Sequence, residues 1–461
     1  MTQITDRGDD IWQQAQELHL ADRFDEAEKL YVRLLEQNHS NAGVMATLGS
    51  LYSQTNKHGL AIHFLEAAIA AGLKIPDAYT NVAISYMKSG QREKAREYFE
   101  KSIAEEPTPE ALTNYSGMYI ETGEDAKCIE VCERAIAMKH DLPVAHWNMG
   151  IAKLASGMWA EGWEAHEWGL IAENIRENRV IVDVPMWDGT PGKTVLVYGE
   201  QGLGDEIMFT SMLPDLLKTN TVVYECHKRL ETLFKKSFPD VQFYGTREDT
   251  AVDWAQNHQF DYRLPIGSLG KFYRRSREAF PGTPYLKADA LPKGGKFRIG
   301  ISWTGGGAKI GRVQKRSIPL PWWKPILDIQ NVEFVSLQYT DCKDDLDVMD
   351  ELGYDIKRMD EYVKAQDYYE TARLVASCDL VITCATTVYH LAGALGVPAW
   401  VMVPKNPAWR EGSSGGNPWY RSVRLYRSPA VAQDAWHAVV ARVAHDLNEK
   451  VNGRAKLQAV G

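Results

Sequence analysis

The sequence predicts a chain in two parts, an all-helical repeat array followed by a pair of α/β halves. Small residues recur about every 34 positions through the first third. From Lys193 onward, short β-rich apolar runs alternate with helical stretches. Several of those runs end in turns rich in glycine or threonine, where α/β sheets place their chemistry. The expected divisions are residues 1–175 for the repeats, 190–290 for the first α/β domain and 296–450 for the second.

Composition agrees with a folded chain of several domains. Of the 461 residues, 44% are hydrophobic and 25% charged, as in ordinary globular proteins. A net charge of −9 argues against a general nucleic-acid coat and leaves room only for a local basic groove. The six cysteines form no Cys-x-x-Cys pair, so they predict no zinc site and suit a reducing cytoplasm. Cys128 and Cys132, one helical turn apart, read as packing. There is no secretory signal and no apolar run near 20 residues, so no membrane span is expected.

In the first third, Ala15, Gly49, Ala83, Gly117 and Gly150 are spaced by 34, 34, 34 and 33 residues. Twelve residues after each lie Ala27, Ala61, Ala95, Ile129 and Gly162. Small residues on both helices of a pair let the two cross closely. Pro76, Pro107 and Pro143 fall near the junctions, where helices must stop. This period resembles a tetratricopeptide array of five helix pairs over residues 8–173. Such arrays present a concave face to peptides or partner subunits. Asn81, Asn114 and Asn148 recur two or three residues before the small position, either as a ladder for a peptide backbone or as exposed or capping residues. Trp147, Trp159, Trp163 and Trp168 crowd the last pair and predict packing on the next domain.

The strands expected in the first α/β half are Thr194–Tyr198, Thr221–Cys226, Val241–Tyr244 and Tyr262–Pro265. Helices are expected over Asp205–Lys218 and Arg229–Phe238. The second half predicts strands at Phe297–Trp303, Val332–Gln338, Asp355–Arg358, Leu380–Thr383 and Ala399–Val403. Its helices are expected at Trp322–Ile329, Tyr368–Ser377 and Val388–Leu395, with a last one over Val431–Asn448 that could cross back to the first half.

Three strand exits carry candidate chemistry. After Val195–Tyr198 comes Gly199-Glu-Gln-Gly202-Leu-Gly204-Asp205 and then a helix. The glycines allow a ligand close to the backbone, and the helix N-terminus offers N–H groups to an anion. The spacing is not Gly-x-Gly-x-x-Gly and no Gly-Lys-Ser/Thr follows, which argues against a nicotinamide fingerprint or a phosphate loop. Asp205 reads either as a helix cap or as a reactive carboxylate. The second exit, Ser302-Trp303-Thr304-Gly305-Gly306-Gly307-Ala308-Lys309, leads to Arg312, Lys315 and Arg316, either a cation-bearing glycine loop for a diphosphate or a solvated loop. In the third, Thr383-Cys-Ala-Thr386-Thr387-Val-Tyr-His390, hydroxyls and helix amides form an anion cradle and His390 lies one turn in. Gln338, at a further strand exit, is placed to read a base edge. Asp345-Leu-Asp347 reads as a solvated helix face.

Together these stretches resemble a GT-B glycosyltransferase of the heptosyltransferase-like kind, fused to tetratricopeptide repeats. The likeness rests on Gly202-x-Gly204-Asp205, Ile301-Ser-Trp303, Lys315-Arg316-Ser317-Ile-Pro-Leu, Ser336-Leu-Gln338 and His390-Leu-Ala-Gly-Ala-Leu-Gly396-x-Pro398. The tail Trp409-Arg410 with Pro418-Trp419-Tyr420 also fits. The resemblance implies two Rossmann-like α/β domains and cytoplasmic transfer of a sugar from a nucleotide-sugar donor. It implies Asp205 as catalytic base. Gly202, Gly204, Trp303, Lys309, Arg316, Gln338, Thr386, Thr387 and His390 are then donor-side residues. It requires no metal and no cofactor beyond the nucleotide-sugar co-substrate. The repeats would present a protein or peptide acceptor. A modified nucleic-acid base or small glycan as acceptor, or a repeat scaffold with a decayed second half, are the competing readings. Where the family often carries Asp five residues before the histidine, this chain has Ala385, so the donor sugar is left open.

Overall fold

The structure is a computed structural model that describes residues 3–249, 252–305 and 316–460. Gly306, Gly307, Lys309, Arg312 and Lys315 lie outside the described residues. The chain forms two compact units, Met1–Ala152 and Lys153–Gly461. The division falls well before the expected one near residue 175, and both α/β halves belong to one unit.

The first unit is a tetratricopeptide superhelix of antiparallel pairs. Its helices are α1 Gln3–Leu20, α2 Phe24–Gln37, α3 Ala42–Gln54, α4 His58–Ala70, α5 Pro76–Lys88, α6 Arg92–Glu105, α7 Pro109–Thr122 and α8 Asp125–Met138, followed by α9 Pro143–Ala155, in which the unit boundary falls. Pro76, Pro109 and Pro143 open helices, where a missing N–H costs nothing. Ala15, Ala27, Ala61, Ala83 and Ala95 are fully buried. A Cβ at Gly49 would lie 2.6 Å from Leu65 Cγ, so the close crossing there needs glycine. Gly117 departs from this logic, because a Cβ there would meet open space. Cys128 and Cys132 are core residues, as read. Two of the three asparagines take a third role, while Asn114 is exposed. Asn81 Nδ2 donates to Ser50 Oγ and Asn148 Nδ2 to Ser116 Oγ, both at 2.9 Å, stitching the first helix of one pair to that of the pair before.

The second unit begins with the end of α9 and α10, Trp159–His166. Two of its tryptophans dock within this unit, which is why the division comes early. Trp163 is buried, its Nε1–H donates to Arg274 O at 2.9 Å, and its ring fills the space where a Cβ at Gly270 would stand. Trp159 packs on Phe280 with ring centroids 4.7 Å apart.

Two wholly parallel sheets follow. The first holds β1 Thr194–Tyr198, β2 Thr221–Glu225, β3 Gln242–Tyr244 and β4 Tyr262–Pro265, ordered β3-β2-β1-β4. The second holds β5 Phe297–Ser302, β6 Val332–Ser336, β7 Ile356–Lys357, β8 Leu380–Cys384, β9 Ala399–Val403 and β10 Val423–Arg427, ordered β10-β9-β8-β5-β6-β7. In sequence order within the sheet this is the doubly wound 3-2-1-4-5-6 arrangement. The direction of winding reverses between β1 and β4 in one sheet and between β5 and β8 in the other. A crevice opens at the carboxyl ends of strands at such a reversal.

Helices of about two turns or more in this unit are α11 Leu203–Thr210, α12 Glu231–Ser237, α13 Lys343–Glu351, α14 Tyr368–Ala376, α15 Thr387–Leu395 and α16 Ala435–Val460. The single helix expected over Asp205–Lys218 is broken after Thr210, and a short turn Leu213–Leu216 follows. Pro214 has no N–H to continue the ladder. The last helix does not return to the first half. Trp436, Val439, Val440, Val443 and Leu447 form a buried stripe in the core of the second sheet, beside Ile299 and Trp323. Among the described residues no helix is long and apolar enough to cross a membrane.

Candidate functional site

The turn after β1 is shaped by the pairing of Glu206 with Arg247 and by a left-handed residue. Gln201 has φ of 61°, and Gly202 is the N-cap of α11. Glu206, fully buried, accepts from His227 N–H at 3.0 Å and from Arg247 Nη1 at 2.8 Å. Arg247 also donates to the carbonyl of Gln201, which holds the strained turn in place. Gly199 leaves room for this carboxylate, since a Cβ there would lie 2.5 Å from Glu206 Oε1.

Asp205 is therefore not the cap. It is the third helical residue, and its Oδ1 accepts from Arg410 Nη2, which comes from the second α/β half. The pair is largely covered, with side-chain exposures of 17% for Asp205 and 15% for Arg410.

The turn after β8 is built by threonines. Thr386 is the N-cap of α15 and accepts from Val388 N–H at 3.2 Å; its hydroxyl lies 3.3 Å from that of Thr383. Thr387 is the first helical residue and half-buried. His390 is buried, with Nδ1 3.1 Å from the Tyr420 hydroxyl. Burial, followed by the charges of Arg410 and Arg316, holds its imidazole well below the usual histidine range, so it is neutral.

Gly204 brings the two turns together. A Cβ at that position would lie 3.1 Å from His390 Cδ2 and 3.3 Å from both Thr387 Cα and Oγ1. The N-termini of α11 and α15 thus meet, one from each sheet, both at strand exits. Two positive helix ends with Arg410 and Arg316 nearby make a locus suited to an anion. Asp205 is a carboxylate at its edge.

Other expected residues lie elsewhere. Trp303 is 1% exposed, belongs to the core under the second sheet, and donates from Nε1 to Asp345 Oδ2 at 2.7 Å. Asp345 is thus partly structural rather than solvated, while Asp347 pairs with Lys343 and Arg358 on the surface. Gln338 is also buried and its amide is saturated. Oε1 accepts from Ser302 Oγ, Trp303 N–H and Thr304 N–H, and Nε2 donates to Thr304 O and Thr340 Oγ1. It staples the β5 exit and has no amide donor left to read a base. Thr386 spends its acceptor on its own helix. Lys309 is outside the described residues. Among the expected residues, Asp205, Gly204, Thr387 and His390 converge, with Gly202 capping the helix that carries two of them. Arg410 and Tyr420 were not singled out by the sequence. Both stand in the quoted tail, but a lone arginine in a Gly- and Ser-rich loop has the texture of a solvated loop.

Glu206 supplies a pH test of the first turn. Burial pushes its carboxyl up to about 7, against the opposing pull of Arg247 and the His227 N–H. The folded chain then holds a proton that the unfolded chain has already lost. The stability this provides is complete below the ordinary carboxyl value of 4.5 and is lost as pH rises through about 7. The stability of wild type minus that of Glu206→Gln should fall across this window and level off above it, as read by denaturant melts at matched pH. A difference that rises with pH would show that the ion pair with Arg247 dominates.

Comparison with known proteins places the first unit. Models of the tetratricopeptide repeat match residues 42–71 and 76–109. Protein FlbA of Caulobacter vibrioides is 30% identical over 335 residues, which is 67% of this chain and 56% of FlbA. The chain thus spans little more than half the length of that relative. Among solved structures, MamA is 20% identical with a TM-score of 0.30, covering 35% of this chain and 87% of its own. YrrB, described as a TPR protein with an unusual peptide-binding site, is 17% identical with a TM-score of 0.30, covering 35% of this chain and 84% of its own. The first unit of this chain is built of tetratricopeptide repeats.

Proposed function

We propose that this chain is a glycosyltransferase of the GT-B type that moves a sugar from a nucleoside-diphosphate sugar to a hydroxyl acceptor on a protein or peptide held by the repeats. The observation that carries the reading is the meeting of two strand-exit helices at Gly204, Thr387 and His390, with Asp205 beside them. The sequence resemblance supports it, and the repeats support a protein-interaction role. In the reaction, Asp205 takes the proton from the acceptor hydroxyl. The acceptor oxygen forms a bond to the anomeric carbon, and the bond from that carbon to the phosphate oxygen breaks. The nucleoside diphosphate leaves with the electron pair, stabilised by the N-terminus of α15 and by Arg316. Neutral His390 donates or accepts a hydrogen bond at Nε2 and carries no charge to the donor.

Thr387→Ala and His390→Ala should each weaken binding of the matching nucleoside diphosphate by about tenfold, the worth of one hydrogen bond to a charged group. Calorimetric titration of the full chain reads this, with circular dichroism to show that the fold is kept. Unchanged affinity in both variants would remove the diphosphate from this locus.

A further inference from the structure

We propose that Arg410 is a diphosphate ligand that exchanges partners, covering Asp205 when no donor is bound and moving to the diphosphate when one binds. This rests on the reading above and adds an order of events to it. The Asp205 carboxylate is engaged by the Arg410 guanidinium across the seam between the two α/β halves. An oxygen that already accepts from a guanidinium is not open to a substrate hydroxyl at that lone pair. One of the two oxygens of the base is therefore taken up by Arg410 in the structure as it stands. Arg410 has unspent capacity, since its Nε–H is buried without a hydrogen-bond partner among the described residues. A guanidinium presents donors in a planar fork that suits phosphate as well as carboxylate. The alternative partner lies close by. Arg410 is near enough to His390 to act on its charge state, and His390 sits on the first turn of α15, the helix whose N-terminus faces the anion locus. A diphosphate carries more charge than one carboxylate, so it competes well for the same fork. When Arg410 leaves, Asp205 is uncovered beside the anomeric carbon. Donor binding therefore precedes activation of the acceptor.

The test titrates the full chain with inorganic pyrophosphate and with a set of nucleoside 5′-diphosphates, using wild type, Arg410→Gln, Asp205→Asn and the double variant. Arg410→Gln should lose affinity by about tenfold or more. Asp205→Asn, which removes the competing carboxylate, should bind several-fold more tightly than wild type. In the Arg410→Gln background the same Asp205→Asn change should bring no such gain, because no guanidinium remains to be released. An equal gain in both backgrounds would mean simple removal of a negative charge and would overturn the exchange. If Arg410→Gln does not fold, an Asp205→Asn protein that binds no more tightly than wild type overturns the proposal alone. Binding by wild type that Arg410→Gln leaves unchanged overturns the role of Arg410 but spares the proposed function. A wild-type chain that binds neither pyrophosphate nor any nucleoside diphosphate overturns both.

Discussion

Asp205→Asn is expected to lower turnover at least about a hundredfold, because Asn matches the shape of the carboxylate but cannot accept the acceptor's proton. The geometry sharpens this expectation. Were Asp205 a cap, Asn would serve nearly as well and turnover would hold. In the structure Gly202 is the N-cap, and the Asp205 carboxylate points to Arg410 across the seam of the two halves. The change does break a mostly covered ion pair, so stability should fall by about 1 kcal/mol. A loss of that size cannot account for a hundredfold rate effect at a temperature well below melting. Near-normal turnover in a folded Asp205→Asn protein would show that this carboxylate is structural and that the proton goes elsewhere.

Arg176→Met is expected to cost about 3–5 kcal/mol, the usual result of leaving buried carboxylates without their counter-ion. The Arg176 side chain has no exposed surface and gathers four partners. Nε and Nη2 hold the two oxygens of Glu200 at 2.8 and 2.7 Å, and Nη2 also donates to Ser268 Oγ at 2.9 Å. Nη1 donates to Glu167 Oε1 at 2.8 Å and lies 3.0 Å from His166 Nδ1. Glu200, itself fully buried, accepts in turn from Gly267 N–H at 2.9 Å. This cluster ties the segment after α10 to the exits of β1 and β4, where the winding of the first sheet reverses. Glu200 precedes the strained Gln201, so the same change should disturb the turn that carries Asp205. Arg176→Met combined with Glu200→Gln should recover part of the loss, since one of the stranded charges is gone. Denaturant melts measure both, and a loss under about 1 kcal/mol for Arg176→Met would mean that the cluster contributes little net stability.

The parts of this architecture written in local pattern were legible, and the parts made by distant pairs were not. The 34-residue recurrence has a local cause, a small residue at each crossing, and a sequence displays that directly. Nine of the ten described strands were visible as apolar β-rich runs. The missed strand, Val423–Arg427, lies at a sheet edge and has its short apolar run interrupted by Arg424 and Arg427, so it lacks the continuous apolar texture of a strand buried on both faces. Strand exits could be located, but not the direction of their side chains. Trp303 and Gln338 sit at the expected exit yet turn into the core, because the β5 exit has its own backbone groups to satisfy. The capping choice at Asp205 was open in the sequence because both Gly202 and Asp205 can begin a helix. It is resolved by Arg410, 205 residues away, and no local pattern encodes a pairing at that distance.

The measurement that bears most directly on the proposed transfer is the thermal stability of the full chain against a panel of nucleoside-diphosphate sugars. A ligand bound to the folded state raises stability by about 2.7 kcal/mol at a hundred times its dissociation constant. The account predicts that at least one member of the panel raises the melting temperature by several degrees, that the free sugar does not, and that His390→Ala blunts the shift. A panel at saturating concentration that moves the melting temperature of neither wild type nor variant would contradict it.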